Sequence, residues 1–306
     1  MDGQMELCGV IPVNKPKGWT SFDVIAKLRG ILRTKRLGHS GTLDPMATGV
    51  LAVFVGKATK ACDMVNGDGK RYTASFRLGL STDTQDITGE VLNRSDKTVS
   101  RQELETAKES FVGDIMQLPP MYSAVKVGGK KLYELAREGK TIEREAKKRH
   151  IDFIEITEYD ENTREGKMSV SVSSGTYIRT LIHDIGEKLG SFGTMTELQR
   201  TFAGGFDLED CYTIEQIEKA SSEGRVQELV TGIEAVFSHL EKITLSGRNT
   251  ALYKNGVKLR PEQVGIKNGQ AQADKQFAVF SAEGGFISVA TIDKDKNELR
   301  SVKNFY

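Results

Sequence analysis

The sequence predicts an α+β fold, one large domain followed by a small one. Strand-like and helix-like segments mix irregularly through roughly the first 240 residues, without the regular alternation of a βαβ repeat. After about Ile243 the texture changes to short strands and turns, so a boundary is expected near residues 240 to 246, dividing 1–242 from 243–306. The length of 306 residues agrees with that division.

Val10 to Lys15 is expected to be a short strand running into a loop punctuated by Pro16 and Gly18. Ser21 reads as the N-cap of a helix with Phe22, Ile25, Leu28, Ile31 and Leu32 at helical spacing. Gly38 to Gly49 is a loop rich in Gly, Ser and Thr, and Val50 to Val55 an apolar strand. Arg71 to Leu78 alternates, with Tyr72, Ala74, Phe76 and Leu78 on one face. Ser100 with Glu103 forms a capping box for a helix through Phe111. Pro119-Pro120 forces an extended or turning segment, and Lys130 to Glu138 reads as helix. Ile151 to Ile156 and Met168 to Val172 read as strands. Ile178, Leu181, Ile182, Ile185 and Leu189 then trace a helical stripe closed by Gly190. Thr213 with Gln216 caps a further helix. Asn255-Gly256, Asn268-Gly269 and Gly284-Gly285 mark turns between the last strands.

Hydrophobic residues make up 38% and charged residues 28%, enough to bury a core. No apolar run approaches roughly 18 residues, so no membrane span is expected. Met1 to Gly9 lacks the pattern of a secretory signal. Cys8, Cys62 and Cys211 form neither a CxxC pair nor a zinc spacing, and so sparse a set points to a reducing cytoplasm. The net charge is +1, but the charge is segregated. Residues 13–60 hold nine basic against two acidic side chains, and 126–149 nine against four; 201–245 hold nine acidic against three basic. One phosphate-facing side would account for this, as would solvated helix faces. Nucleotide-binding glycine loops, HExxH and GxSxG are absent, and the four histidines are not paired at metal spacing. Neither a cofactor nor a metal is therefore expected.

The segment Leu37-Gly-His-Ser-Gly-Thr-Leu-Asp-Pro-Met-Ala-Thr-Gly-Val-Leu51 is the richest in chemistry. Its Asp44 is followed by Pro45, which stiffens the loop, and flanked by apolar Leu43 and Met46. Such a carboxylate is either desolvated and aimed at a substrate, or an ordinary Asp-Pro turn with a helix cap. This segment resembles the signature motif of the TruB family, the B-type tRNA pseudouridine synthases. Val13-Asn-Lys-Pro-Lys-Gly-Trp-Thr-Ser-Phe-Asp-Val, Lys70-Arg-Tyr-Thr-Ala, Thr82-Asp-Thr, Pro120-Met-Tyr-Ser-Ala-Val-Lys, Gly129-Lys-Lys-Leu-Tyr and Gly175-Thr-Tyr-Ile-Arg-Thr-Leu resemble further family blocks, in family order, over roughly residues 10 to 205.

The resemblance implies a central, mostly antiparallel mixed sheet flanked by helices, an RNA-binding insertion at about 120–149, and a small C-terminal PUA-like β domain. It implies conversion of uridine-55 in the tRNA T loop to pseudouridine by a stand-alone enzyme; few interface signals appear in the sequence, so monomer is the default state. The substrate surface is the T-arm stem-loop, and neither a cofactor nor an obligatory protein partner is required. Asp44 matches the nucleophile, attacking the base at C6 or the sugar at C1′. Arg179 matches the arginine paired with it, and Tyr72 the tyrosine that stacks on the flipped base and helps remove the C5 proton. Tyr177 and Leu198 match pocket-lining residues, and His39 the residue that fills the space left in the loop. Lys15, Lys126, Lys130 and Lys131 are expected to meet phosphates, with Tyr122 and Tyr133 interleaved among them. Ser174 stands where the family pattern often has lysine. Three other readings compete: a guide-dependent synthase, a non-catalytic RNA-binding module, and a glycoside hydrolase with Asp83 or Asp86 as second carboxylate.

Overall fold

The chain is described here by a computed structural model covering residues 7–65, 69–266 and 275–306. It is an α+β protein. The first strand, β1 (Gly9–Lys15), is buried along nearly its whole length and leads into α1 (Ser21–Ile31). Thr20, not Ser21, caps α1: its hydroxyl accepts from the Asp23 N–H and the Asp23 carboxylate answers at the Thr20 N–H. Ser21 is released for another task. Val24, Ile25 and Leu28 turn inward, whereas Phe22, expected on the same stripe, is 65% exposed.

β2 (Leu37–His39) and β3 (Thr48–Val55) form an antiparallel pair, so the loop expected from Gly38 shortens to residues 40–47 and His39 sits at a strand end. β4 (Lys70–Leu78) alternates as its sequence requires, with Lys70, Tyr72, Ala74, Phe76 and Leu78 buried. A small hairpin, β5 (Leu80–Thr82) with β6 (Val91–Arg94), follows. Then come α2 (Arg101–Glu109), with its Ser100–Glu103 capping box, and β7 (Gly113–Gln117). The helix expected over Lys130 to Glu138 is shorter. Lys126–Val127 (β8) and Lys130–Lys131 (β9) pair across Gly128-Gly129, and α3 spans only Leu132–Arg137. β10 (Lys147–Asp160) and β11 (Glu165–Val172) make a long hairpin. α4 (Ile178–Leu189) buries all five residues of its apolar stripe and ends at Gly190, whose φ of 65° is left-handed.

β12 (Gly193–Ala203) completes the central sheet, ordered β1-β3-β12-β4-β11-β10-β7, with β2 and the short β13 (Phe206–Asp207) at its margins. Only the β12–β3 junction is parallel, so the sheet is mixed and mostly antiparallel. α5 (Ile214–Ser222), capped by Thr213 and Gln216, packs beside α1. A second sheet follows, ordered β14 (Glu241–Thr244), β15 (Gln276–Phe280), β16 (Phe286–Asp293) and β17 (Glu298–Asn304). An unexpected helix, α6 (Gly247–Lys254), leaves it after β14, and Asn255-Gly256 ends that helix instead of joining two strands. Gly284-Gly285 does turn β15 into β16, and Asn268-Gly269 lies outside the described residues.

The second sheet keeps its own core around Phe277, Val279 and Leu299. It also gives Phe286 and Phe305 to a cluster with Phe237, Phe54 and Val50 of the larger part, with ring centroids 5.3–6.0 Å apart. The larger part therefore buries an aromatic face against the smaller one. Among the described residues no helix is long and apolar enough to cross a membrane.

Candidate active site

The signature loop is held from below. The Ser21 hydroxyl accepts from the Leu43 N–H at 2.9 Å, so the first turn of α1 is bolted to the residue before Asp44. The Asp44 carbonyl accepts from the Ala47 N–H at 3.0 Å, closing a tight turn over Pro45 and Met46. Lys15 is fully buried and donates to the carbonyls of Trp19 at 2.6 Å, Pro16 at 2.9 Å and Pro45 at 3.4 Å. It corrects the expected phosphate contact: an ammonium with no exposed surface and three backbone acceptors holds the loop and does not reach RNA. Burial pushes its pKa down to about 8, although Asp44 pulls it upward.

Asp44 does not cap a helix. Its side chain leaves the turn and meets Arg179, with Oδ2 3.1 Å from Nη2. Arg179, in the first turn of α4, is not the surface residue that helical phase permits; its side chain is 5% exposed. Its other donors bind the carbonyls of Thr84 at 3.2 Å and Tyr122 at 2.6 Å, and Asp86 stands 3.8 Å away. The guanidinium is thus fixed by four groups from three separate segments, an arrangement that lysine could not reproduce. Enclosure by protein raises the Asp44 carboxyl above its ordinary value; Arg179 opposes this, Asp86 adds to it and Lys15 opposes it.

Asp44 lies in a cleft of about 900 Å³. Tyr72, Tyr177, Leu198 and His39 all line it, as does Lys131, whose Nζ lies 3.3 Å from the Tyr133 hydroxyl. Lys126 and Lys130, on the hairpin beyond, are exposed. The structure therefore brings Asp44, Arg179, Tyr72, Tyr177, Leu198, His39 and Lys131 to one cleft, but not Lys15, Lys126 or Lys130. His39 is depressed below its ordinary pKa by burial and by Arg200, so its ring is neutral at pH 7 and suited to lie among bases. Tyr122 turns its hydroxyl away to Asp83 at 3.0 Å and gives its carbonyl to Arg179, while Tyr133 lines the cleft under Arg137.

Several contributors were not placed at this site from sequence. Gln117 brackets Tyr177, accepting from its N–H at 2.8 Å and donating to its carbonyl at 3.0 Å. Asp86 collects the hydroxyls of Thr84 and Thr88 and the Thr88 N–H, shaping the loop that faces Arg179. Phe22 and Lys70 also line the cleft. An amphipathic alternation carries Lys70 to the same face as Tyr72, and that spacing was readable; the long-range partners of Gln117 and Asp86 were not.

A mixed sheet thus carries an arginine-paired aspartate in an open cleft. Over 97% of its length the chain superposes on 85% of a chain in the solved "Cbf5-Nop10-Gar1 Complex", with a TM-score of 0.76 and 27% identity. The model "TruB family pseudouridylate synthase (N terminal domain)" matches residues 29–178, and "tRNA pseudouridylate synthase B C-terminal domain" matches 179–238. The chain belongs to the TruB family. It is 41% identical over 281 residues to a "tRNA pseudouridine synthase B" of Pediococcus pentosaceus, covering 88% of this chain and 94% of that protein. It is also 41% identical over 297 residues to one from Fusobacterium nucleatum, covering 97% and 99%.

Proposed function

We propose that this chain isomerises uridine-55 of the tRNA T loop to pseudouridine, without a guide RNA or cofactor, with Asp44 as nucleophile. The Asp44–Arg179 pair at 3.1 Å carries the reading, because it presents an oriented carboxylate to an open cleft. In the reaction the bond from N1 to C1′ breaks and one from C5 to C1′ forms. The C5 proton leaves and N1 gains one, so substrate and product have the same atoms. Tyr72 lies against the extruded base, with Tyr177 and Leu198 enclosing it, and His39 fills the gap left in the loop. Lys126, Lys130 and Lys131 meet the RNA backbone, making binding sensitive to salt.

On this reading residues 1–242 are the catalytic domain, and residues 120–149 an RNA-binding insertion that also closes on Arg179 through the Tyr122 carbonyl. Residues 243–306 act as a PUA-like RNA-binding domain. The protein works as a monomer in the cytoplasm.

The test is conversion of a T-arm stem-loop by the purified chain alone. Wild type is expected to convert it, and Asp44→Asn to bind it with at least about 10⁴-fold slower conversion, as for loss of a covalent nucleophile. Binding without conversion by wild type would favour a guide-dependent enzyme or a binding module. Turnover by Asp44→Asn would remove the nucleophile assignment.

A further inference from the structure

Around Gly41, in the signature loop that carries Asp44, stand two buried cations without a counter-charge among the described residues. Lys70 is 9% exposed and Arg200 is fully buried. The Lys70 ammonium has one hydrogen bond, to the Ser174 hydroxyl at 3.3 Å. Arg200 donates from Nε to the Val50 carbonyl at 2.7 Å and from Nη2 to the Gly41 carbonyl at 2.9 Å, while Nη1 is buried with no partner. Among the described residues no carboxylate lies within ion-pair distance of either, and the charge acting on Lys70 is that of Arg200 itself.

The two groups converge on Gly41. A methyl group placed there would lie 2.8 Å from Lys70 Nζ and 3.4 Å from Arg200 Nη1, and the φ of +70° at Gly41 also disfavours a side chain. Gly41, Lys70 and Ser174 all line the cleft, so this spot opens to the substrate. Burying like charges side by side costs several kcal/mol unless an anion answers them, by roughly the effective penalty of a desolvated ion. The described residues supply none here, so a ligand is the natural source.

We infer that Lys70 and Ser174, with the buried charge of Arg200 behind them, form a seat for one backbone phosphodiester of the bound RNA beside Gly41 of the signature loop. The inference rests on the RNA-modifying reading above, in which the phosphodiester is the anion that the substrate brings. Ammonium and hydroxyl donors suit the two non-bridging oxygens of a phosphate, and the buried guanidinium adds its field without touching it. Such a contact fixes the register of the strand without reading a base, and so sets where the target nucleotide enters the cleft.

The test replaces single phosphates of a T-arm stem-loop by uncharged methylphosphonates, and measures affinity for wild type and Lys70→Gln. One loop linkage is expected to weaken wild-type binding about tenfold, in the range of a charge-assisted hydrogen bond. Lys70→Gln is expected to bind the natural RNA about tenfold more weakly, to be indifferent to that same linkage, and to lower the salt slope by about 0.7. Lys70→Arg should restore the sensitivity. If Lys70→Gln does not fold, Gly41→Ala fills the seat and should cancel the same linkage effect. Full sensitivity at every linkage in a folded Lys70→Gln or Gly41→Ala protein overturns the seat. Guide-free conversion by wild type separates the two readings: conversion with no Lys70-dependent linkage sinks the seat alone, whereas binding without conversion sinks the stand-alone synthase reading alone.

Discussion

The two walls of the cleft treat charge in opposite ways. On one wall Arg179 faces Asp44 at 3.1 Å and Asp86 at 3.8 Å, and two backbone carbonyls accept from its Nη1 and Nη2, while its Nε is buried without a partner. On the other, Lys70 and Arg200 crowd together around Gly41 with no carboxylate beside them among the described residues. A closed set of charges fixes the geometry of reacting groups before substrate arrives. An open set stays costly until a substrate brings the missing charge. The difference separates chemistry from positioning within a single cavity.

The widest separation should appear in Asp44→Asn. Conversion falls by at least about 10⁴-fold, while affinity for RNA stays within about threefold, well under the tenfold that 1.4 kcal/mol represents. Stability should move the other way. The folded-state pKa of Asp44 is raised, so its ionised form costs stability as pH rises through that value. The variant should therefore unfold at a higher temperature than wild type at pH 7. For the same reason wild-type kcat should fall on acidification at a pH above the ordinary carboxylate range. A fall confined to that ordinary range would show that Arg179 outweighs the enclosure of Asp44. Loss of RNA affinity in parallel with conversion would erase the distinction between the walls.

Arg179→Met tests the closed wall directly. Removing one member of a buried, hydrogen-bonded ion pair costs about 3–5 kcal/mol, and here it strands Asp86, which is 7% exposed at its side chain. Urea unfolding should show a loss of that size. A loss under about 1 kcal/mol, the median for exposed pairs, would mean that the network is held from elsewhere.

These walls were unequally legible in the sequence. Alternation and helical phase give local answers, and they placed Tyr72 on the buried face of β4 and ended α4 at Gly190. Where a residue type has two local uses, the pattern chose wrongly. Ser21 reads as a cap, but Thr20 takes that position and frees Ser21 for Leu43. Lys15 reads as a surface cation, but three carbonyls gathered from the loop enclose it. The Asp44–Arg179 pair joins residues 135 apart, and family motifs supplied it where spacing could not. No motif flagged Lys70 with Arg200, because what marks them is an absence: partners that only a folded cavity can show to be missing.

The smallest expected effect probes the open wall without RNA. Burial, reinforced by Arg200, pushes the Lys70 ammonium down to about 8 from its ordinary 10.5. A lysine with a lowered folded-state pKa binds fewer protons than in the unfolded chain. Its cost is complete below about 8 and disappears above 10.5, so stability rises with pH across that window. Lys15, also lowered to about 8, adds the same slope, so wild type alone cannot isolate the contribution of Lys70. The difference between wild type and Lys70→Met can. The variant should be more stable at pH 7 by up to roughly 3 kcal/mol, the equivalent of the shift, offset in part by the lost Ser174 contact, with the advantage shrinking toward pH 10. Urea unfolding at several pH values reads it. A variant less stable than wild type at pH 7 would make Lys70 a structural cation like Lys15, and both walls would then be closed.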